Sequence, residues 1–305
     1  MAFIQFGYII KNRRESLRLT QEELADGICS VPTLSRLENG ERMPTKNHFE
    51  MLLQRLGYSD ANLNCYVDER EFYIHELKFR IRQAYISKQI DQAKELLKEF
   101  EELLQNPSQV DEQFLILHKI FLSKGEYSNA EKIELLEKAM RLTCPEYDGS
   151  KLPKVLTFEE ITLLNNLAIC YDIDGSRAHA IDILMNLRDY YNRHIVNPEE
   201  ALRTQPMILY NLSKMLGQEY RLDECVEICD QGIKIARTTG RCSLLGKTLY
   251  NKAWALLKRN QKGDRMLSFD ALNQAYHFAV IMGNTQEANY CRKFQEENFP
   301  DSELL

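Results

Sequence analysis

The chain has 305 residues, 44% of them hydrophobic, and a formal net charge of −6. That length exceeds one small domain and leaves room for a second, larger one, and the hydrophobic content excludes a disordered remainder. No apolar run reaches the roughly 18–20 residues that cross a bilayer, so no membrane partner is expected. The opening MAFIQFGYIIKNRR places its apolar residues ahead of its charges, the reverse of a signal peptide. Eight cysteines without regular spacing fit a reducing compartment, and a cytoplasmic location is expected.

In chain order, Phe6, Ile10 and Leu17 form the inward side of a first helix, and Leu19 leads into Thr20. Thr20 followed by Glu23 is a capping box, in which hydroxyl and carboxylate satisfy two orphan backbone donors and set the start of a second helix. Leu24, Ala25 and Ile28 give that helix an apolar side, and Gly27 lies before a tight turn. Ser30 opens a third helix, with Pro32 tolerated in the first turn, where no amide bond is lost. Leu34 and Leu37 share its inner face. Val31, Pro32, Thr33, Ser35 and Arg36 are left outward, and Asn39 and Arg42 follow on the exit side. Asn39-Gly40 closes the helix with residues that tolerate a left-handed conformation. Pro44-Thr45 starts a fourth helix with Phe49, Leu52, Leu53 and Leu56 facing in and Gly57 ending it. Helix, tight turn, helix is the arrangement that inserts a short helix into the major groove, so the outward residues are the candidate DNA contacts and a double-stranded DNA operator is the expected partner.

The span from about Ile10 to Gly57 resembles an Xre/Cro-type helix-turn-helix domain. Its short turn, Ile28-Cys29-Ser30, and the run Ser35-Arg36-Leu37-Glu38-Asn39-Gly40 are similar to those of the Rgg–Rap–NprR–PlcR–PrgX (RRNPP) group of Gram-positive quorum-sensing regulators. The resemblance implies that Gln21 touches a phosphate, that Arg36 is a major base reader, and that Arg14 pairs with Glu38 across the core. An unpaired charge beside those apolar faces would be costly, which favours the pair. Within residues 1–60, eight Lys and Arg are balanced by eight Asp and Glu. One copy would therefore bind a phosphate backbone weakly, and a homodimer reading two half-sites is expected.

Residues Tyr58–Val67 read as a linker or short fifth helix, and the domain boundary is expected near 65, with residues 1–65 forming the helix-turn-helix domain and 66–305 the remainder. Beyond it the periodicity predicts helices at 69–87, 90–105, 110–123, 128–142, 157–173, 176–194, 199–218, 221–238, 241–260, 265–282 and 285–297. No alternating β-branched run interrupts them, so the expected fold class is all-α. The helices pair in a pattern that resembles the tetratricopeptide (TPR) repeat of about 34 residues. Small residues occupy its packing positions at Ser213, Cys225 and Gly232, at Ala168 with Ala180, and at Ala253 with Ala271. Ala93, Gly125 and Ala130 fit more loosely. Five pairs and a capping helix at 285–297 would form a right-handed α-solenoid, because one pair cannot bury its own apolar face. The loop Thr143–Thr157 and the segment 259–267 interrupt the repeats and are expected on the solvent side, as hinges or a flap.

Asn166, Asn211 and Asn251 recur at one register position, two residues before the small packing residue. In TPR proteins that position faces the concave surface. An amide offers donor and acceptor together and matches the backbone of an extended peptide. Neighbouring positions would set selectivity: Asn165, Tyr210 and Tyr250 one residue before, and Ile169, Lys214 and Trp254 three after. The resemblance to the RRNPP group implies that the ligand is a short imported signalling peptide whose binding alters a dimer on DNA. The sequence holds no HExxH, CxxC, P-loop or GxGxxG motif, so no enzymatic activity, metal or cofactor is expected. Cys225 and Cys229, four apart on one helix, read as small core residues rather than a metal or redox pair. An adaptor docking a protein partner at a DNA site is the alternative.

Overall fold

The computed structural model describes residues 2–42, 44–57, 69–104, 106–123, 125–149, 155–193 and 198–300, and every regular element among them is helical. The expected linker at 58–67, the boundary near 65 and part of the loop before Thr157 lie outside the described residues. The chain divides into two compact units, residues 1–174 with 194–200, and residues 175–193 with 201–305.

The first unit begins with α1 (Ala2–Ser16), α2 (Gln21–Ala25), α3 (Val31–Glu38) and α4 (Lys46–Arg55). Each of the last three starts where a side-chain oxygen takes up an orphan amide: Thr20 with Glu23 as a capping box, Ser30 on the Thr33 amide, and Thr45 on the His48 amide. The exits depend on glycine, with Gly27, Gly40 and Gly57 all in the left-handed region. Ile10, Leu24, Leu34, Leu37, Leu52 and Leu56 close a core that water does not reach. Met51 is buried with them, while Phe49 is only partly covered. Gly7 lets α1 cross α3 backbone against backbone; a Cβ there would lie 2.2 Å from the Leu37 carbonyl oxygen.

Five more helices complete this unit: α5 (Glu69–Ile86), α6 (Ile90–Leu103), α7 (Gln109–Leu122), α8 (Asn129–Thr143) and α9 (Phe158–Ile173). Ser108, Ser128 and Thr157 open α7, α8 and α9 with capping boxes. Consecutive helices pack together, and Ala93, fully buried, lets α5 and α6 approach. Gly125 and Ala130, read above as loose packing positions, are exposed instead; Gly125 serves the turn before α8 with φ +94°. The loop after α8 is not a solvent-side flap where it is described. Cys144, Tyr147, Val155 and Leu156 are buried, and Val155 joins Val110 in the core of α1–α4. Apolar side chains at both ends of the loop outweigh its two prolines.

The second unit contains α10 (Arg177–Arg193), most of α11 (Pro198–Gln218), α12 (Leu222–Thr239), α13 (Leu245–Arg259), α14 (Asp264–Ile281) and α15 (Thr285–Asn298). Its close approaches use small side chains. Ser213, Cys225, Ala253 and Ala271 are buried, and a Cβ on Gly232 would stand 3.3 Å from the Thr248 methyl. The Cys225 thiol donates to the Ser213 carbonyl at 3.1 Å, which ties α12 to α11. The interruption expected at 259–267 is a short turn: Asn260 and Gly263 take positive φ, and α14 starts at Asp264. Arg259 fastens that turn with two hydrogen bonds to the Asp264 carboxylate, at 2.9 and 2.8 Å. The fold class is all-α, a helix-turn-helix followed by paired helical repeats.

Candidate functional site

The helix-turn-helix presents α3 outward by its N-terminal half. Leu34 and Leu37 anchor it from beneath, so Pro32 and Arg36 point to solvent and Val31, Thr33 and Ser35 are half-covered along its flanks. Asn39 and Arg42, just beyond the helix, are exposed as well. Ser30 and Thr33 share a hydroxyl–hydroxyl bond of 2.8 Å at its start, which fixes the first turn.

A buried ion pair sets the back of this face. Arg14 donates from Nε and Nη2 to the two Glu38 oxygens at 2.6 and 2.9 Å, and from Nη1 to the Leu19 carbonyl at 2.8 Å. Planar fork meets planar carboxylate, the strongest geometry available to the pair. The hydrogen bond that Arg14 donates to Glu38 raises the guanidinium pKa despite the cost of burial. Gln21, the residue assigned to a phosphate, spends one amide N–H on Glu38 Oε2 at 2.8 Å. Arg14 is thus consumed inside the protein, as is Arg55 by Glu160, and among the described side chains of this head Arg18, Arg36 and Arg42 are exposed.

In the second unit α11 and α13 lie side by side. The Asn251 Nδ2 donates to the Ser213 hydroxyl at 3.0 Å, and the Trp254 ring packs over Gly217, where a Cβ would stand 3.4 Å from Cζ3. Tyr210, Asn211, Tyr250, Asn251 and Trp254 are half-buried and Lys214 is exposed. Tyr250 meets Phe294 of α15 edge to face at 5.4 Å, and Trp254 meets Tyr220 in the same manner at 6.1 Å. Burial raises the pKa of both the Tyr210 and Tyr250 phenols. Two neighbours were missed from sequence. Lys247 lies over the Tyr210 ring at 5.9 Å, and Glu287 of α15 lies 3.7 Å from Lys247. Lys247 stands one helical turn before Asn251, so following that face back along α13 would have found it; Glu287 had no local signal.

The first unit carries Asn165, Asn166 and Ile169 on α9. Asn166 and Ile169 are half-buried, and the Asn166 Nδ2 donates to the Thr162 carbonyl of its own helix at 2.7 Å. Asn165, expected to contact a ligand, is 0% exposed and packs inside the unit. The reason is that α9 is buried around most of its circumference, so a step of one residue turns a side chain from a surface into a core. Cys225 and Cys229 are buried, and among the described residues no three His, Cys, Asp or Glu gather as a metal site. No described helix is long and apolar enough to cross a membrane.

Residues 10–62 match the helix-turn-helix family model, and residues 80–292 match that of the RNPP family C-terminal domain. No curated protein matches the chain. Among solved structures it is similar to Bacillus thuringiensis PlcR in complex with the peptide PapR7 and DNA, at 17% identity and TM-score 0.58 over 94% of this chain and 99% of that one. It is also similar to the apo form of the competence regulator ComR from Streptococcus vestibularis, at 17% identity and TM-score 0.55 over 98% and 99% of the two chains. At such identities these likenesses establish the fold. Because the C-terminal model covers well over half of the chain and follows a helix-turn-helix, this protein belongs to the RNPP family.

Proposed function

We propose that the protein is a sequence-specific transcriptional regulator, acting in the cytoplasm as a homodimer, whose helical repeats bind a short signalling peptide and thereby change how it holds DNA. The observation that carries the reading is a reading helix with Pro32, Arg36, Asn39 and Arg42 exposed, braced by a buried Arg14–Glu38 pair, on a chain whose larger part fits the RNPP model. That PlcR was crystallised with a peptide and DNA supports the assignment.

In this reading the exposed Arg36 contacts a base edge, with Val31, Thr33 and Ser35 beside it. The even balance of acidic and basic residues over positions 1–60 makes one copy a weak binder, because affinity follows the number of phosphates neutralised. Two copies on a paired operator overcome this. On the α11–α13 face, Asn211 and Asn251 offer amides to an extended backbone, Tyr210, Tyr250 and Trp254 line its flanks, and Lys214 offers a cation for a carboxylate. The bond from Asn251 to Ser213 uses one of its two N–H groups and pre-orients the rest, which lowers the entropy cost of pairing with a guest. Asn166 and Ile169 of α9 hold the corresponding repeat positions by sequence register alone, whereas Asn165 serves packing.

The test is selection of a DNA fragment from random sequence by the wild-type protein, followed by footprinting of Arg36→Ala. Loss of a bidentate base contact is worth about 1–3 kcal/mol, so the protected site should vanish while far-ultraviolet dichroism is unchanged; a retained footprint would contradict the assignment. Calorimetry with synthetic copies of small secreted peptides encoded beside the gene tests the second half. Asn211→Ala should weaken binding by about 1–3 kcal/mol, since it leaves a buried backbone group without a partner. An unchanged affinity removes Asn211 from the site.

A further inference from the structure

The first turn of α9 carries two adjacent carboxylates that face opposite ways. Glu160 closes its own helix start, accepting the Thr157 amide on Oε2 at 2.7 Å, and turns Oε1 to the Thr143 hydroxyl at 2.7 Å and to Arg55 Nη2 of α4 at 3.4 Å. Glu159 is paired with Arg82 of α5. Arg55 and Glu160 have no exposed side-chain surface. Arg55 then reaches on from Nη1 to the carbonyl of Asp26 at 2.5 Å. Asp26 is the C-cap of α2, where the chain turns to aim α3. At the same turn a Cβ on Gly27 would lie 3.1 Å from the Thr143 carbonyl, so the turn rests against the end of α8. Gln113 of α7 donates to the Thr143 hydroxyl at 2.8 Å and holds that acceptor in place. The start of a helix, with its unpaired amides, favours carboxylates at these positions.

We infer that Arg55 and Glu160 are positioning residues for DNA recognition: they lock the α2–α3 turn to the N-terminus of α9, and Glu159 with Arg82 locks the same helix start to α5. The inference rests on the DNA-binding reading above. The reading head is therefore not a bead on a string. Its aim is set by α9, the helix that also carries Asn166 and Ile169, so a displacement of α9 along its axis is transmitted to the turn through Arg55. Neither residue touches DNA. An exposed hinge would have tolerated drift in the angle between two heads, which a buried, geometrically demanding ion pair does not.

The experiment uses the full chain with Glu160→Gln, Arg55→Gln and the double variant, each read in three ways against the DNA fragment selected by the wild type. Amide hydrogen exchange across Gln21–Glu38 should accelerate at least tenfold in every variant, with α12–α15 unaffected. Affinity for a fragment with two half-sites should fall at least tenfold, while affinity for a single half-site stays within twofold, because the head still reads bases but is no longer aimed. The double variant should be no worse than the worse single one, as partners in one interaction require. Glu160→Gln preserves size and the cap, so it remains informative if Arg55→Gln does not fold. Unchanged exchange, equal losses on single and paired half-sites, or additive losses in the double variant would each overturn the inference while leaving DNA binding intact. A wild-type protein that selects no DNA would remove both readings together.

Discussion

The interiors of α1–α9 and of α10–α15 are made of different material. The first is threaded with buried charge: Arg14 with Glu38, Arg55 with Glu160, Arg82 with Glu159, and Lys78 with Asp111 at 2.6 Å. Burial works against an ionised Asp111, yet Lys78 and the Ser108 cap outweigh it and hold its carboxyl below the usual value. The second is held mainly by small and apolar contacts, with Ser213, Cys225, Gly232 and Ala253 at the crossings; Arg259–Asp264 is covered about as well as Arg82–Glu159, and pairs such as Arg221–Glu224 are left at the surface. Ion pairs inside a protein add little net stability, but they penalise every wrong arrangement severely. Small residues do the reverse, giving close approach with little directional demand. The contrast suits a part that must aim a DNA-reading head and a part that must follow the shape of a guest.

Removing one member of the most closely paired charges should break the first region hardest. Glu38→Ala leaves Arg14 buried without its carboxylate, and a loss of about 3–5 kcal/mol is expected. Chemical denaturation should then show the helix-turn-helix melting ahead of the remainder, and a single unshifted transition would argue that the pair is incidental. In the second region the sensitive variable is volume. Gly232→Leu drives a side chain into Thr248 and Leu209, and overpacking should cost about 1–3 kcal/mol. A neutral outcome in thermal unfolding would mean that α12 and α13 can separate without penalty.

A third effect concerns pH and lies in the charged region. His118 of α7 is stacked on Phe114 with ring centroids 3.9 Å apart, and burial, followed by the nearby Arg82 charge, pushes its pKa down to about 3. The unfolded chain takes up a proton near pH 6.5, the folded one only near pH 3. Stability should therefore be complete above pH 6.5 and decline as the pH falls through that window, by at most about 1.4 kcal/mol per unit. Denaturation midpoints between pH 6.5 and 5, above the range where most carboxylates titrate, should slope for the wild type and flatten for His118→Gln. An equal slope in both would place the sensitivity elsewhere.

Much of this molecule is legible residue by residue. Thr20 with Glu23, Ser30 before Pro32, and Thr45 announce helix starts because a cap needs only the next three residues, and the structure uses each as such. The periodicity that predicts 128–142 and 285–297 is answered by Asn129–Thr143 and Thr285–Asn298, since an amphipathic face is a local property. Misreadings occur where the environment, not the segment, decides. Asn165 carries the same side chain as Asn166, and only the packing around α9 closes one and leaves the other half open. The loop after Thr143 contains prolines and polar residues, yet Val155 finds a core to enter.

What the amino-acid order alone determined is the all-α class, the helix-turn-helix with its outward Arg36, and the paired repeats, because caps, turns and apolar spacing act over a few residues. Only the tertiary structure decided that Arg55 would meet Glu160, a carboxylate 105 positions away, and that Asn251 would lean on Ser213. Such partners are chosen by which surfaces the folded helices bring together. No short-range pattern encodes that choice, since a charge destined for the interior and one destined for solvent are written with the same letter.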